Sequence, residues 1–163
     1  MVFVCLGTQD KQFERLLHMV EEAIDEAVIT EEVIAQIGCT PYNGEKIKVF
    51  EYCDSDTMDD YINKASYIIT HGGTGSIIGA LKASKKVIAV SRLEKYKEHH
   101  NDHQLQIISQ FVDTGYILDC QDGTKLSDVI RSLDTFTPLP FVSNTHNVLA
   151  FLEEYIDSVL GGK

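Results

Sequence analysis

Apolar and polar positions fall in alternating blocks along the chain, short unbroken apolar runs followed by longer stretches with helical spacing. Val2-Phe3-Val4-Cys5-Leu6, ended by Gly7, has the pattern of a strand buried on both faces. Between Gln12 and Val28 the apolar residues Phe13, Leu16, Leu17, Val20, Ile24 and Val28 recur at the three-and-four spacing of an amphipathic helix. Further strands are expected at 33–37, 47–52, 65–70, 86–91 and 116–118, and helices at 56–64, 76–83, 101–113, 126–133 and 145–159. Buried strands alternating with helices predict an α/β fold, a doubly wound parallel sheet in one domain spanning 1–163. In such sheets ligands bind beyond the carboxyl ends of the strands. The loops after Leu6, Tyr52, Thr70 and Ser91 are therefore the ones to search.

Composition narrows the field. A net charge of −11 argues against a sequence-independent grip on nucleic acid, which needs a basic face, so no nucleic-acid partner is expected. Cys5, Cys39, Cys53 and Cys120 form no C-x-x-C pair, which removes zinc knuckles and redox motifs and leaves reduced thiols. The opening apolar run is short and lacks a basic flank, so it reads as a strand and not as a signal peptide. No stretch reaches the ~20 apolar residues of a membrane span. A cytoplasmic protein is expected.

Candidate chemistry gathers in three loops. In His71-Gly72-Gly73-Thr74-Gly75-Ser76, three glycines lie between a strand and a helix, so backbone can approach a ligand closely. The first amides of that helix lack intrahelical acceptors and the helix dipole adds positive potential, which suits an anion such as phosphate. The segment is neither a Walker loop nor a dinucleotide fingerprint. A tight structural turn is the competing reading, and His71 could cap the sheet or meet a ligand. The segment from Arg92 to Gln104 concentrates hydrogen-bonding groups; His99 and His103 have two-ligand spacing, but no further ligands accompany them and no metal is expected. A solvated surface loop is its alternative, with Asn101-Asp102 as a helix cap. Gly7-Thr8 could offer an amide and a hydroxyl to the same anion. Convergence of the three on one sheet edge is what strengthens them.

Taken in order, the His71–Ser76 motif, the strand ending in Ser91-Arg92 and the His99-x-x-Asp102-His103-Gln104 cluster resemble the C-terminal, donor-binding domain of glycosyltransferase family 28. The opening Phe3–Leu16 is similar to small bacterial exopolysaccharide transferase subunits of that group. The resemblance runs through the Ser143-Asn144-Thr145 helix. It implies the Rossmann-like C-terminal half of a GT-B enzyme that acts on a UDP-sugar donor and a lipid-linked saccharide. As in the dolichol-pathway relative, it implies a separate subunit working with a membrane-anchored partner, recruited to the inner membrane face. A subunit built to dock could also pair with itself as a homodimer when alone. A non-catalytic activator of a membrane transferase is the alternative, and a free phosphate-sensing module or an epimerase explains less.

Under this resemblance the donor site comprises Gly7, Thr8, His71, Gly72, Gly73, Thr74, Gly75, Ser76, Arg92, Asp102, His103 and Gln104. Backbone amides hold the diphosphate, Arg92 adds a cation, and Gln104 with Asp102 and His103 faces the sugar. Charge on a departing diphosphate can be met by a metal or by such donors. Asp54-Ser55-Asp56 has the Asp-x-Asp spacing of a metal site but reads more simply as a helix cap, so a metal-free route is expected, with no cofactor. The catalytic base is expected from the partner. Many relatives carry a ribose-binding Glu in the helix after the glycines; Gly79 stands there, which shifts the expectation to Glu94 or Glu98.

Overall fold

The computed structural model describes residues 1–142. Six strands make one sheet: β1 (Val2–Cys5), β2 (Val33–Gln36), β3 (Lys48–Phe50), β4 (Tyr67–Thr70), β5 (Lys86–Ala89) and β6 (Leu118–Asp119). All pairings are parallel, in the order β3-β2-β1-β4-β5-β6. Helices α1 (Glu14–Asp25), α2 (Ser55–Lys64), α3 (Thr74–Lys82), α4 (His103–Asp113) and α5 (Leu126–Ser132) cover the sheet. The doubly wound class anticipated from the pattern is the one observed. A single 3₁₀ turn, Glu94–Tyr96, interrupts what the sequence marks only as a charged loop.

The two-residue period of β1 divides the core. Val2, Val4 and Leu6 point to the face covered by α1 and α5, where Leu16, Leu17, Val20, Val129 and Ile130 meet them. Phe3 and Cys5 point to the other face, against Ile62 of α2, Ile77 and Ala80 of α3, and Ile108 of α4. Each such buried aliphatic side chain contributes roughly 1.5–3 kcal/mol by leaving water. The Asp54 side chain accepts from the Thr57 amide at 2.8 Å and starts α2, so the 54–56 triplet is a helix cap as expected.

One strand is displaced from its expected position. Residues 116–118 show the apolar run, yet β6 begins at Leu118. The Tyr116 amide is committed to the Phe111 carbonyl and the Gly115 amide to Val112, which closes α4 in a Schellman motif before the chain can enter the sheet. The helix expected at 145–159 lies outside the described residues. Among the described residues no helix is long and apolar enough to cross a membrane.

Candidate functional site

From β1 the chain winds outward through β2 and β3, then returns to pair β4 with the opposite side of β1. Loops leaving β1 and β4 therefore turn to opposite faces and open a crevice between them. His71 spans this gap. Its amide donates to the Cys5 carbonyl at 3.0 Å, and its ring Nδ1 lies 3.1 Å from the same oxygen. The ring is 7% exposed, and burial pushes its pKa down to about 4, with Arg92 and His99 adding repulsion. A neutral ring facing a carbonyl places its proton on Nδ1, which leaves Nε2 as the lone-pair side.

That side lies against glycine backbone. A Cβ on Gly73 would stand 2.4 Å from Nε2, and one on Gly7 2.5 Å from Cε1. Gly7 also has φ +78°, in the left-handed region that other residues enter at a cost. Gly72 has φ +85°, and a Cβ there would collide with Ile108 of α4. The imidazole is thus a wedge between the two glycine loops, and Gly72 lets α4 close behind them.

Gly73 is the N-cap of α3 and supplies no side-chain cap. The amides of Thr74, Gly75 and Ser76 have no acceptor among the described residues, while Ile77 N already bonds the Gly73 carbonyl. Ordinarily a Ser, Thr, Asn or Asp would satisfy one of these donors. Here three face outward together, at the positive end of a nine-residue helix. Below them is a cavity of about 370 Å³, within the range of small-molecule sites, whose rim includes Gly7, Thr8, His71, Gly73, Gly75 and Ser76. Its floor is apolar, with Phe3, Ile62 and Ile68. A larger hollow of about 590 Å³ lies by the amino ends of β4 and β5, around Glu26, Tyr67 and Arg131, away from these donors.

The third loop behaves differently from its expected role. Arg92 is 1% exposed, and its guanidinium points into the fold. Nη2 donates to the Leu6 carbonyl at 2.7 Å, and Nη1 to those of Lys11, Gln12 and Glu98 at 2.7, 3.3 and 3.4 Å. The planar fork of arginine satisfies several carbonyls at once, which explains why the side chain turns inward and offers no cation to an anion in the crevice. Glu98, the candidate ribose ligand, is also committed. Its carboxylate accepts from Arg15 Nε and Nη2 at 2.9 and 2.8 Å and from the Leu93 amide at 3.1 Å. Glu94 is exposed on the 3₁₀ turn and does not line the cavity.

Asp102 stands at the N-cap of α4, but its carboxylate accepts from the Glu94 amide at 2.9 Å and caps the 3₁₀ turn instead of its own helix. Gln104 is 7% exposed and accepts from the Arg92 amide at 3.2 Å. Both residues shape the loop from 91 to 104, and neither lines the cavity. His103 opens α4; its side chain lies outside what is described. The fold therefore assembles Gly7, Thr8, His71, Gly72, Gly73, Thr74, Gly75 and Ser76, and turns Arg92 away. The polar cavity residues Gln9, Gln36 at the end of β2 and Asp59 on α2 were not anticipated, nor was the apolar floor. A polar residue closing an apolar strand was the signal for Gln36.

This geometry has counterparts among known proteins. The model of the glycosyltransferase family 28 C-terminal domain matches residues 1–157. The chain belongs to that family. The UDP-N-acetylglucosamine transferase subunit ALG13 of Saccharomyces cerevisiae is 32% identical over 151 residues, covering 86% of this chain and 72% of that protein. The subunit of the same name from Debaryomyces hansenii is 29% identical over 112 residues, covering 64% of this chain and 50% of its own length. The chain thus spans half of that relative. An NMR structure of ALG13 shares the fold with a TM-score of 0.63 at 22% identity, covering 89% of this chain and 91% of that one. MurG of Acinetobacter baumannii does so at 0.56 and 18%, covering 81% and 40%. The sheet is that of the C-terminal half of GT-B glycosyltransferases. In this family-28 domain, Gly79 lines the cavity, and a Cβ there would find only Ile62 Cδ1, at 3.8 Å. No packing contact requires a glycine at this place.

Proposed function

We propose that the protein is the donor-binding subunit of a glycosyltransferase, moving a hexosyl group from a UDP-sugar to a lipid-linked saccharide together with a membrane-anchored partner. The observation that carries this is the uncapped first turn of α3, Thr74–Ser76, whose Gly75 and Ser76 line the crevice between β1 and β4. Preorganised donors of this kind bind a diphosphate in the ground state and stabilise the extra charge it acquires as the sugar departs. His71 sets the spacing of the Gly7 and Gly73 loops around it.

An inverting transfer also needs a base for the acceptor hydroxyl. His71 is a poor candidate, because its pKa near 4 and its enclosure between two glycines keep it from a second substrate. The base therefore comes from the partner, which also brings the complex to the cytoplasmic membrane face. Family membership and the ALG13 relatives, named as UDP-N-acetylglucosamine transferase subunits, support this reading.

Calorimetric titration with UDP and UDP-N-acetylglucosamine tests it on the purified chain and on Gly75→Asp. A carboxylate in the first turn favours the helix through its dipole but repels an anion at the same spot. The variant should keep its melting temperature and lose at least tenfold in UDP affinity. Equal binding by both proteins would overturn the site. A folded wild-type chain that binds no UDP would instead favour a non-catalytic activator, a reading to which the vacant Gly79 position lends some support.

A further inference from the structure

The Cys5 thiol is a buried group without a part in the chemistry above, and it stands where the two glycine loops meet. Cys5 ends β1 and lines the cavity together with Gly7, Gln36 and Ser76. Its Sγ donates to Gln36 Oε1 at 3.1 Å and lies 3.5 Å from Ser76 Oγ. A thiol has a single proton. With that proton on Gln36, the Ser76 hydroxyl is the donor and the sulfur its acceptor.

Gly7 completes the set. Arg92 draws the Leu6 carbonyl inward at 2.7 Å, so the trans peptide turns the Gly7 N–H the other way, onto the sulfur. Burial pushes the Cys5 pKa up, against the pull of the Ser76 hydroxyl and the Gly7 amide, and so keeps the thiol protonated. Sulfur is a weak acceptor, whereas a phosphate oxygen takes a charge-assisted hydrogen bond of about twice the ordinary strength. Ser76 lies in the first turn of α3, beside the uncapped amides, and rotation about χ1 swings its hydroxyl from one acceptor to the other.

Resting on the reading of the crevice as a nucleotide-sugar site, we propose that Cys5 is a positioning residue whose sulfur parks the Ser76 hydroxyl and gives it up to an arriving diphosphate. Gln36 and the Gly7 amide hold the sulfur still during the exchange. No covalent bond to sulfur forms or breaks, and the thiol keeps its proton throughout.

The test titrates inorganic diphosphate and UDP into the full chain as wild type, Cys5→Ser, Ser76→Ala and the double variant. A hydroxyl in place of the thiol keeps the contacts to Gln36 and Gly7 but holds the Ser76 proton more firmly. Cys5→Ser should therefore lose about fivefold in diphosphate affinity, the scale of one net hydrogen bond. In the Ser76→Ala background the same change should have no effect, because the donor it acts through is gone. A merely structural thiol would give the same loss in both backgrounds. The S–H stretching band supplies a second reading, the Cys5 component being the one that Ser76→Ala displaces. That band should shift when diphosphate binds wild type and stay fixed when it binds Ser76→Ala. Should Cys5→Ser fail to fold, the band alone decides. Equal affinity of Cys5→Ser and wild type, additive losses in the pair, or a wild-type band unmoved by bound diphosphate overturns the proposal and leaves the nucleotide-sugar reading standing. If wild type binds neither UDP nor diphosphate, that reading falls and this one with it.

Discussion

Replacing glycine by alanine at three positions of the crevice separates strain, clash and ligand contact. Gly73 has φ −66°, which any residue adopts, so its variant suffers only the collision of the new methyl with His71 Nε2 at 2.4 Å. That separation is about 1 Å short of ordinary contact, and the ring is buried and held at the Cys5 carbonyl. Relieving it should cost about 1–3 kcal/mol, the usual range for overpacking. Gly7→Ala meets the same ring at 2.5 Å and adds about 1–2 kcal/mol for its left-handed backbone. Gly75→Ala meets nothing within 4 Å and should leave stability unchanged or raise it by roughly 0.5 kcal/mol through helix propensity. Urea unfolding of the three variants should rank them Gly75, Gly73, Gly7 in increasing loss. Pairing Gly73→Ala with His71→Ala should cost no more than His71→Ala alone, because the collision partner is gone. Equal stability of all three single variants, or additive losses in the pair, would refute the idea that the imidazole is a wedge.

Other outcomes follow from the same groups. His71 has a folded pKa of about 4 against 6.5 when free, so unfolding takes up a proton between those values and stability is lost as pH falls from about 7 toward 4. The loss is on the order of 3 kcal/mol, and His71→Gln should flatten the urea midpoint across that window relative to wild type. Glu98→Gln weakens the buried contact with Arg15 and should destabilise the fold by about 3 kcal/mol, read as a lower melting temperature.

Much of the sheet could be read from the chain because its strands are unbroken apolar runs and its long helices show clean three-and-four spacing. Both features follow from burial on two faces or one. The glycine loop was legible as a close-approach segment between a strand and a helix, although the glycines alone left a tight structural turn as the competing reading. Residue type misled at Arg92 and Glu98. An arginine and a glutamate beside a strand end resemble ligands of anions and hydroxyls, but backbone carbonyls of the Leu6–Gln12 turn and the Arg15 guanidinium claim them. Periodicity says nothing about where a loop side chain turns, and the competing partners came from 80 or more residues away. Asp59 was hidden for the opposite reason, as one acid among several on an ordinary polar helix.

The central place of β1 has a consequence for how the chain is made. Val2–Leu6 leave the ribosome before their partners, and the register of β1 needs Val33–Gln36 on one side and Ile68–Thr70 on the other. Until Ile68–Thr70 have emerged, that greasy pentapeptide has no native neighbour on its β4 edge. Such delayed long-range pairing favours slow acquisition of structure and exposure to self-association. Truncations ending before β4 should therefore accumulate as insoluble material, and translation speed across residues 37–66 should affect the yield of folded subunit.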